Sequence, residues 1–443
     1  MTGVTGLAGY DVERCRARIA VRNDTLNAVL TVVEPTASSN PTGPLANIPY
    51  VLKDTWDTAG ITTTGGSWRH RNRVPATSSH IYRALRDAGA VLLGKSNLCD
   101  LAFSTESDNH MRGPVRNPYD PSRTAGGSTG GGAAAVADGM AAFEWGSDFG
   151  GSIRGPAAWC GVVGLRLSAE TWPVGFHHFP RLPPFFWEMC GMGPITRDVE
   201  GSRVLVEALR ADLRKPGMPA PRFSKDRVVV WTPDRAHEDD WPSFMADTGA
   251  LLHEAGLGWS LGERLPTPSD VNGIFTEYLV AHWVEFMRAG ELPVAHALPA
   301  VLLGLLSGGR FDRRIHPNTG ILLLAVTALM PRYRKKDRAA ERRQEMRRRF
   351  EQVWDTGALV VSPTLAVKPP RHGWGALAVR SMSFCKLGNL IDATGLAIPF
   401  GTFPGTPALP RSLQIIGPPG SEDAVLELGA RLEATIAKST TRS

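Results

Sequence analysis

From residue 46 onward the chain is written in short apolar blocks separated by glycine, proline and small polar residues. Residues 48–52 form an unbroken apolar run of strand length that ends at Lys53, residues 79–88 have helical spacing, and residues 90–94 form a second short apolar run. Runs of this length bounded by turn residues predict strands buried on both faces. Residues 130–142, rich in alanine and glycine, predict a helix starting at a glycine loop, followed by a strand at 143–145 and a tight turn in GSDFGG. An opening helix is expected at 11–32, ending in a loop at 34–45 that is rich in Pro, Ser and Asn.

Beyond Arg197 the pattern changes. Residues 199–213 read as helix, 227–231 as strand and 269–330 as mostly helix with Gly and Pro breaks, so a helical insertion is expected over about 199–350. Strands return at 358–361 and 413–416 before a terminal helix at 421–437. Alternation of this kind predicts an α/β fold, with a mixed, twisted central sheet wrapped by helices, in one domain over residues 1–443. There is no internal repeat and no low-complexity tract.

Composition narrows the class. Apolar residues make up 42% of 443, and the longest apolar stretch, 321–330, is too short for a membrane span. The opening MTGVTGLAGYDVERCR lacks a basic segment followed by an apolar one, so a cytoplasmic location is expected. Cys15, Cys99, Cys160, Cys190 and Cys385 show no paired CxxC spacing, which argues against a zinc knuckle or a disulfide framework. The net charge of +6 is local: residues 332–349 hold ten Lys/Arg against three acids. Met346, Phe350, Val353 and Trp354 recur there at helical spacing, as in an amphipathic helix with a solvated basic face. The expected partner is a small molecule, with no nucleic acid, membrane, cofactor or metal, acting on a monomer or homodimer.

The chemistry concentrates in two glycine-flanked serines 24 residues apart, Ser128 in GGSTGG and Ser152 in DFGGSIRG. A hydrolytic serine needs a base within reach and donors aimed at the developing oxyanion. Ser152 is the expected nucleophile, because Gly150 and Gly151 leave room for the N–H groups of Phe149, Gly150, Gly151 and Ser152 to converge as an oxyanion hole. Ser128 can accept and donate a proton through one hydroxyl, as a relay must. Lys53, at the end of an apolar strand, is the expected base: burial disfavours the ammonium and leaves a neutral amine. Activity should then fall as the pH drops and the amine is protonated.

Four segments carry a resemblance. VLKDTWDTAGITTTGGS, GKSNLCDLAFSTES, RNPYDPSRTAGGSTGGGAAAVADGM and GSDFGGSIRGPAAWCGVVGLR, within about residues 46–168, resemble in order the landmarks of the amidase signature family of serine amidohydrolases. Weaker likeness continues through GPITRD, VVSPT and the C-terminal LQIIGPPGSEDAVLELGARLE. The resemblance implies that Ser152 attacks an amide carbonyl, Ser128 relays after a cis Gly127–Ser128 peptide, and Lys53 serves as base and then as acid. It implies structural support from Thr129, Asp148 and Arg154. The family's Asn-Leu-Thr-Gly-x-Pro segment reads Asn389, Leu390, Ile391, Asp392, Ala393, Thr394 here. Met382 occupies the place of an aspartate that reads glutamine in an amidotransferase subunit of the family, which argues against that role.

Residues 172–187 pack six large aromatics, four prolines, His177 and His178 into sixteen positions, where no regular helix is expected. Trp172, Phe176, Phe179 and Phe186, with Met382, are candidates to line an apolar substrate pocket. The two histidines are not needed as bases. Other readings use the same residues. Gly126-x-Ser128-x-Gly130 also fits an α/β-hydrolase with Ser128 as nucleophile and His372 as the late histidine. A nucleotide-binding module would need a Gly-Lys-Ser/Thr ending that the glycine loop lacks. An acyl-enzyme could also be captured by an amine instead of water, giving amide synthesis or acyl transfer.

Overall fold

The structure is a computed structural model that describes residues 6–174, 182–218, 221, 223–224, 227–232, 241–289, 315–332, 335–379 and 381–440. Its strands are β1 (Val29–Val32), β2 (Pro49–Lys53), β3 (Val91–Ser96), β4 (Phe143–Asp148), β5 (Val163–Arg166), β6 (Gly191–Thr196), β7 (Arg227–Val230), β8 (Gly258–Leu261), β9 (Leu359–Pro363), β10 (Thr394–Phe403) and β11 (Leu409–Gly417). They form one mixed sheet in the order β1-β3-β2-β4-β6-β5-β10-β11-β9-β7-β8. β2 lies parallel to both β3 and β4, whereas β4 meets β6 antiparallel.

The register sorts side chains onto two faces. Tyr50 lies opposite Phe143 and Leu52 opposite Trp145, and the Tyr50 and Phe143 rings stack 5.0 Å apart in the larger core. Val51 and Lys53 point the other way, because successive strand residues alternate. That second face is covered by the Gly130–Asp138 helix, whose Ala133, Ala134, Ala135 and Val136 are buried with Val51, Leu93 and Ile153. Small side chains let this helix approach the sheet closely; Gly139, at φ 78°, ends it.

Several elements differ from the sequence expectation for local reasons. The opening helix covers only Val12–Leu26: Asp11 caps its start, and Asn27 in the left-handed conformation ends it, leaving β1 to pair with β3. β4 runs on through Asp148 because Gly146, Ser147 and Asp148 pair with Gly193, Met192 and Gly191, so the turn starts later than expected. Within the aromatic stretch, Pro184–Met189 is a short helix with proline in its first turn, contrary to the expected irregular loop. The basic segment is the Lys336–Trp354 helix, burying Met346, Phe350 and Trp354. The middle third supplies the helices Pro268–Ala281, Trp283–Ala289 and Pro317–Leu329, and also β7 and β8. No helix among the described residues is long and apolar enough to cross a membrane.

Candidate active site

Lys53 ends β2 fully buried, and its side chain emerges beneath the glycine loop that precedes the Gly130–Asp138 helix. Its Nζ lies 2.9 Å from Ser128 Oγ, 2.9 Å from the Ser147 carbonyl and 3.3 Å from Ser147 Oγ. A neutral amine has two N–H groups and one lone pair, so the two Ser147 oxygens can take the N–H groups while the lone pair accepts the Ser128 hydroxyl. Burial pushes the Lys53 ammonium to titrate below its ordinary range, and the nearby Glu144, Cys99, Cys190 and Asp148 pull the other way. The position therefore shifts the amine toward its uncharged form.

The Gly127–Ser128 peptide is cis. Ser107 Oγ donates to the Ser128 carbonyl at 3.2 Å and accepts from the Gly130 N–H at 3.0 Å, fixing the loop on both sides of the serine. The Thr129 N–H donates to the Ser152 carbonyl at 3.2 Å, which joins the two serine-bearing turns. Among the described residues Ser152 Oγ has no hydrogen-bond partner, so the two hydroxyls are not linked directly. Thr129 is buried with its hydroxyl unpartnered, its methyl against Gly146.

The turn carrying Ser152 is held from below by Asp148. Its carboxylate accepts the N–H groups of Gly151 at 2.8 Å and Ile153 at 3.1 Å, and forms a two-point pair with Arg154, Nη2 to Oδ1 and Nε to Oδ2, both at 3.1 Å. Asn389 donates to the Asp148 carbonyl and carboxylate and accepts from Arg154 at 2.9 Å. Burial alone would raise the Asp148 carboxyl, but Arg154, Arg166 and the Asn389 amide outweigh it and hold it well below the usual carboxylate range. This network corrects one expectation: the Gly151 N–H is already committed to Asp148. Of the four N–H groups expected to face an oxyanion, those of Phe149, Gly150 and Ser152 remain as candidates.

Around the turn the surface is apolar. A side chain at Gly150 would meet the Phe275 ring, and one at Gly151 would meet Met382 Cε and Cys385 Cβ, so Met382 packs directly on the turn that carries Ser152. Phe149 stacks on Phe186 with ring centres 4.4 Å apart and meets Phe275 edge-on at 5.8 Å. Trp172 is fully buried in the main core. Phe176, Phe179, His177 and His178 lie outside the described residues. A separate cavity of about 1020 Å³ is lined by Trp187, Tyr278, Arg343 and Arg347, among others, and by none of Lys53, Ser128 or Ser152. Its Arg343 and Arg347 are already paired with Glu188 and Glu170.

The α/β-hydrolase alternative fails on geometry. No strand leads into Ser128, and His372 contacts Glu106 Oε1 at 3.1 Å and the Pro121 carbonyl at 3.2 Å, not the serine. Sequence reasoning left some roles unassigned. Asp392 stands in the left-handed region at φ 53°, where the resembling family has glycine, and its carboxylate accepts from Arg166, Ser168 and the Ala169 and Glu170 N–H groups. Asn389 is legible only as the start of the family's Asn-Leu-Thr-Gly-x-Pro segment, not as a partner of Asp148, and Phe275 gave no local signal. Glu144 did: it is a charged residue inside an apolar strand run.

Comparison with known proteins points to one class, proteins that act at amide bonds. A profile of the Amidase family matches residues 12–426. The chain is 30% identical to a glutamyl-tRNA(Gln) amidotransferase subunit from Moorella thermoacetica, over 88% of this chain and 83% of that protein. It is also 30% identical to a Mycobacterium tuberculosis protein provisionally named amidase AmiB2, over 95% of this chain and 88% of that one. Its fold superposes on a 6-aminohexanoate cyclic dimer hydrolase solved with its substrate, with a TM-score of 0.73 at 21% identity, covering 96% of this chain and 92% of that one. The chain belongs to the amidase signature family, and its mixed sheet with surrounding helices is that family's fold.

Proposed function

We propose that this protein hydrolyses a neutral, apolar carboxamide through an acyl-enzyme on Ser152. The observation that carries this reading is the buried Lys53 amine, 2.9 Å from Ser128 Oγ, with the Ser128 loop joined to the glycine turn of Ser152 by the Thr129 N–H. Lys53 draws the Ser128 proton, Ser128 takes the proton of Ser152, and the alkoxide attacks the carbonyl. The Ser152 hydroxyl closes the gap to Ser128 as substrate binds, since catalytic hydrogen bonds are often long without substrate. Donors at Phe149, Gly150 and Ser152 hold the oxyanion, each contributing about 3 kcal/mol in comparable sites. The lysine returns its proton to the leaving amine, and water releases the acid.

The apolar preference is supported by Phe149, Phe186, Phe275 and Met382 at the turn. A methionine thioether offers no charge to pair with an amino-acid ammonium. For that reason hydrolysis of a simple amide is favoured here over the glutamine chemistry suggested by the amidotransferase relative's name. An alkyl fluorophosphonate tests the assignment. Mass spectrometry should place one adduct on Ser152, with none in Ser152→Ala; an adduct on Ser128, or persistence of labelling in Ser152→Ala, would overturn it.

A further inference from the structure

Glu144 is a fully buried carboxyl outside the Lys53, Ser128 and Ser152 set. Its place follows from register. In the order β3-β2-β4, Ser96 of β3 lies opposite Lys53 and Glu144 of β4 lies opposite Val51, so Ser96, Lys53 and Glu144 share one face. Ser96 Oγ donates to Glu144 Oε1, and this bond must pass over β2 between Val51 and Lys53. The other carboxyl oxygen, Oε2, has no hydrogen-bond partner. It rests on the Gly130–Asp138 helix at Gly132, where a Cβ would collide with it. Glycine at 132 is thus the socket for this carboxyl.

We propose that Glu144 is a positioning residue for the Lys53 base: its carboxyl, slung across β2 from Ser96 and seated on Gly132, lies on the lysine's face of the sheet, and its ionised form raises the basicity of the amine. The inference rests on the reading of Lys53 as base. A buried amine left entirely to desolvation becomes too weak a base to draw a serine proton. Glu144 is the foremost charge opposing that fall; Cys99, Cys190 and Asp148 also face the amine, and Asp148 is already neutralised by Arg154. Burial in turn raises the Glu144 carboxyl to about 8, with Ser96 and Lys53 lowering it.

The test is the pH dependence of the rate at which an alkyl fluorophosphonate labels Ser152. In the wild type the rate falls toward acid as Lys53 gains its proton. Glu144→Gln removes the counter-charge and keeps the shape, so the acid limb should move to lower pH by about half a unit or more. Should that variant fold poorly, Gly132→Ala/Glu144→Ala carries the same test, because the methyl introduced at 132 occupies the vacated space. Acid limbs that superimpose on the wild type in both variants would overturn the proposal, since a merely structural role leaves the limb in place. Lys53→Met separates the two readings: if it labels with the wild-type rate and pH profile, the base itself is misassigned, whatever Glu144 does.

Discussion

At the scale of single residues, the site depends on polar groups that are buried and almost fully paired. Asp148 and Arg154 are both inaccessible to solvent, and each satisfies the other in two hydrogen bonds while also reaching Asn389. Removing one member leaves a charge in a low-dielectric interior. Arg154→Met should therefore cost about 3–5 kcal/mol, read as a lower urea midpoint, and should reduce Ser152 labelling as the turn loosens. An unchanged midpoint would show that the pair is dispensable. Because the Asp148 carboxyl is depressed in the fold, its contribution is present above about pH 4 and is lost as the pH falls through its folded value.

At the scale of elements, the turn that carries Ser152 is set by β4 ending at Asp148 and the Arg154–Trp159 helix beginning six residues later, with Gly151 at φ 105° between them. Few side chains tolerate that conformation, and a Cβ there would lie 2.6 Å from both Met382 and Cys385. Gly151→Ala should push the turn away from Ser128. A displacement near 1 Å at such a site costs on the order of 100-fold in rate, so the labelling rate constant should fall by that order. A fall of less than about tenfold would mean that the turn adapts. Met382→Ala alone removes one of the two contacts without touching the glycine, and in the double variant it should restore part of the rate.

At the scale of the whole molecule, the residues that carry the family resemblance do not close a core by themselves. β4 and β5 each pair with β6, and β5 also pairs with β10, which in turn carries β11 and β9. Asn389 and Asp392 then clamp Asp148 and Arg166 from the C-terminal part of the chain. A fragment limited to residues 46–168 should consequently show no cooperative thermal transition, whereas the full chain should unfold with β2 and β10 melting together. Cooperative melting of the fragment would make it an independent domain.

Much of this was legible along the chain. The apolar runs at 48–52 and 90–94 became strands and the alanine-rich 130–142 became a helix, over Gly130–Asp138 only, because a strand covered on both faces must be apolar throughout and a close-packed helix must be small. β6 and β10 were harder to see. Gly191, Gly193 and Pro194 interrupt the first, and Gly395 and Pro399 the second, and such residues are accepted in a strand only when particular neighbours fit around them. Sequence alone singled out the candidates for the chemistry: two serines flanked by glycine and a lysine at the end of an apolar run, since residue type and immediate flanks set what a side chain can do. Only the tertiary structure decided how they are arranged. That Ser147 rather than solvent receives the lysine N–H groups, that Asp148 takes the Gly151 N–H, and that Glu144 reaches Ser96 across β2 all follow from strand order and register, which bring together segments far apart along the chain.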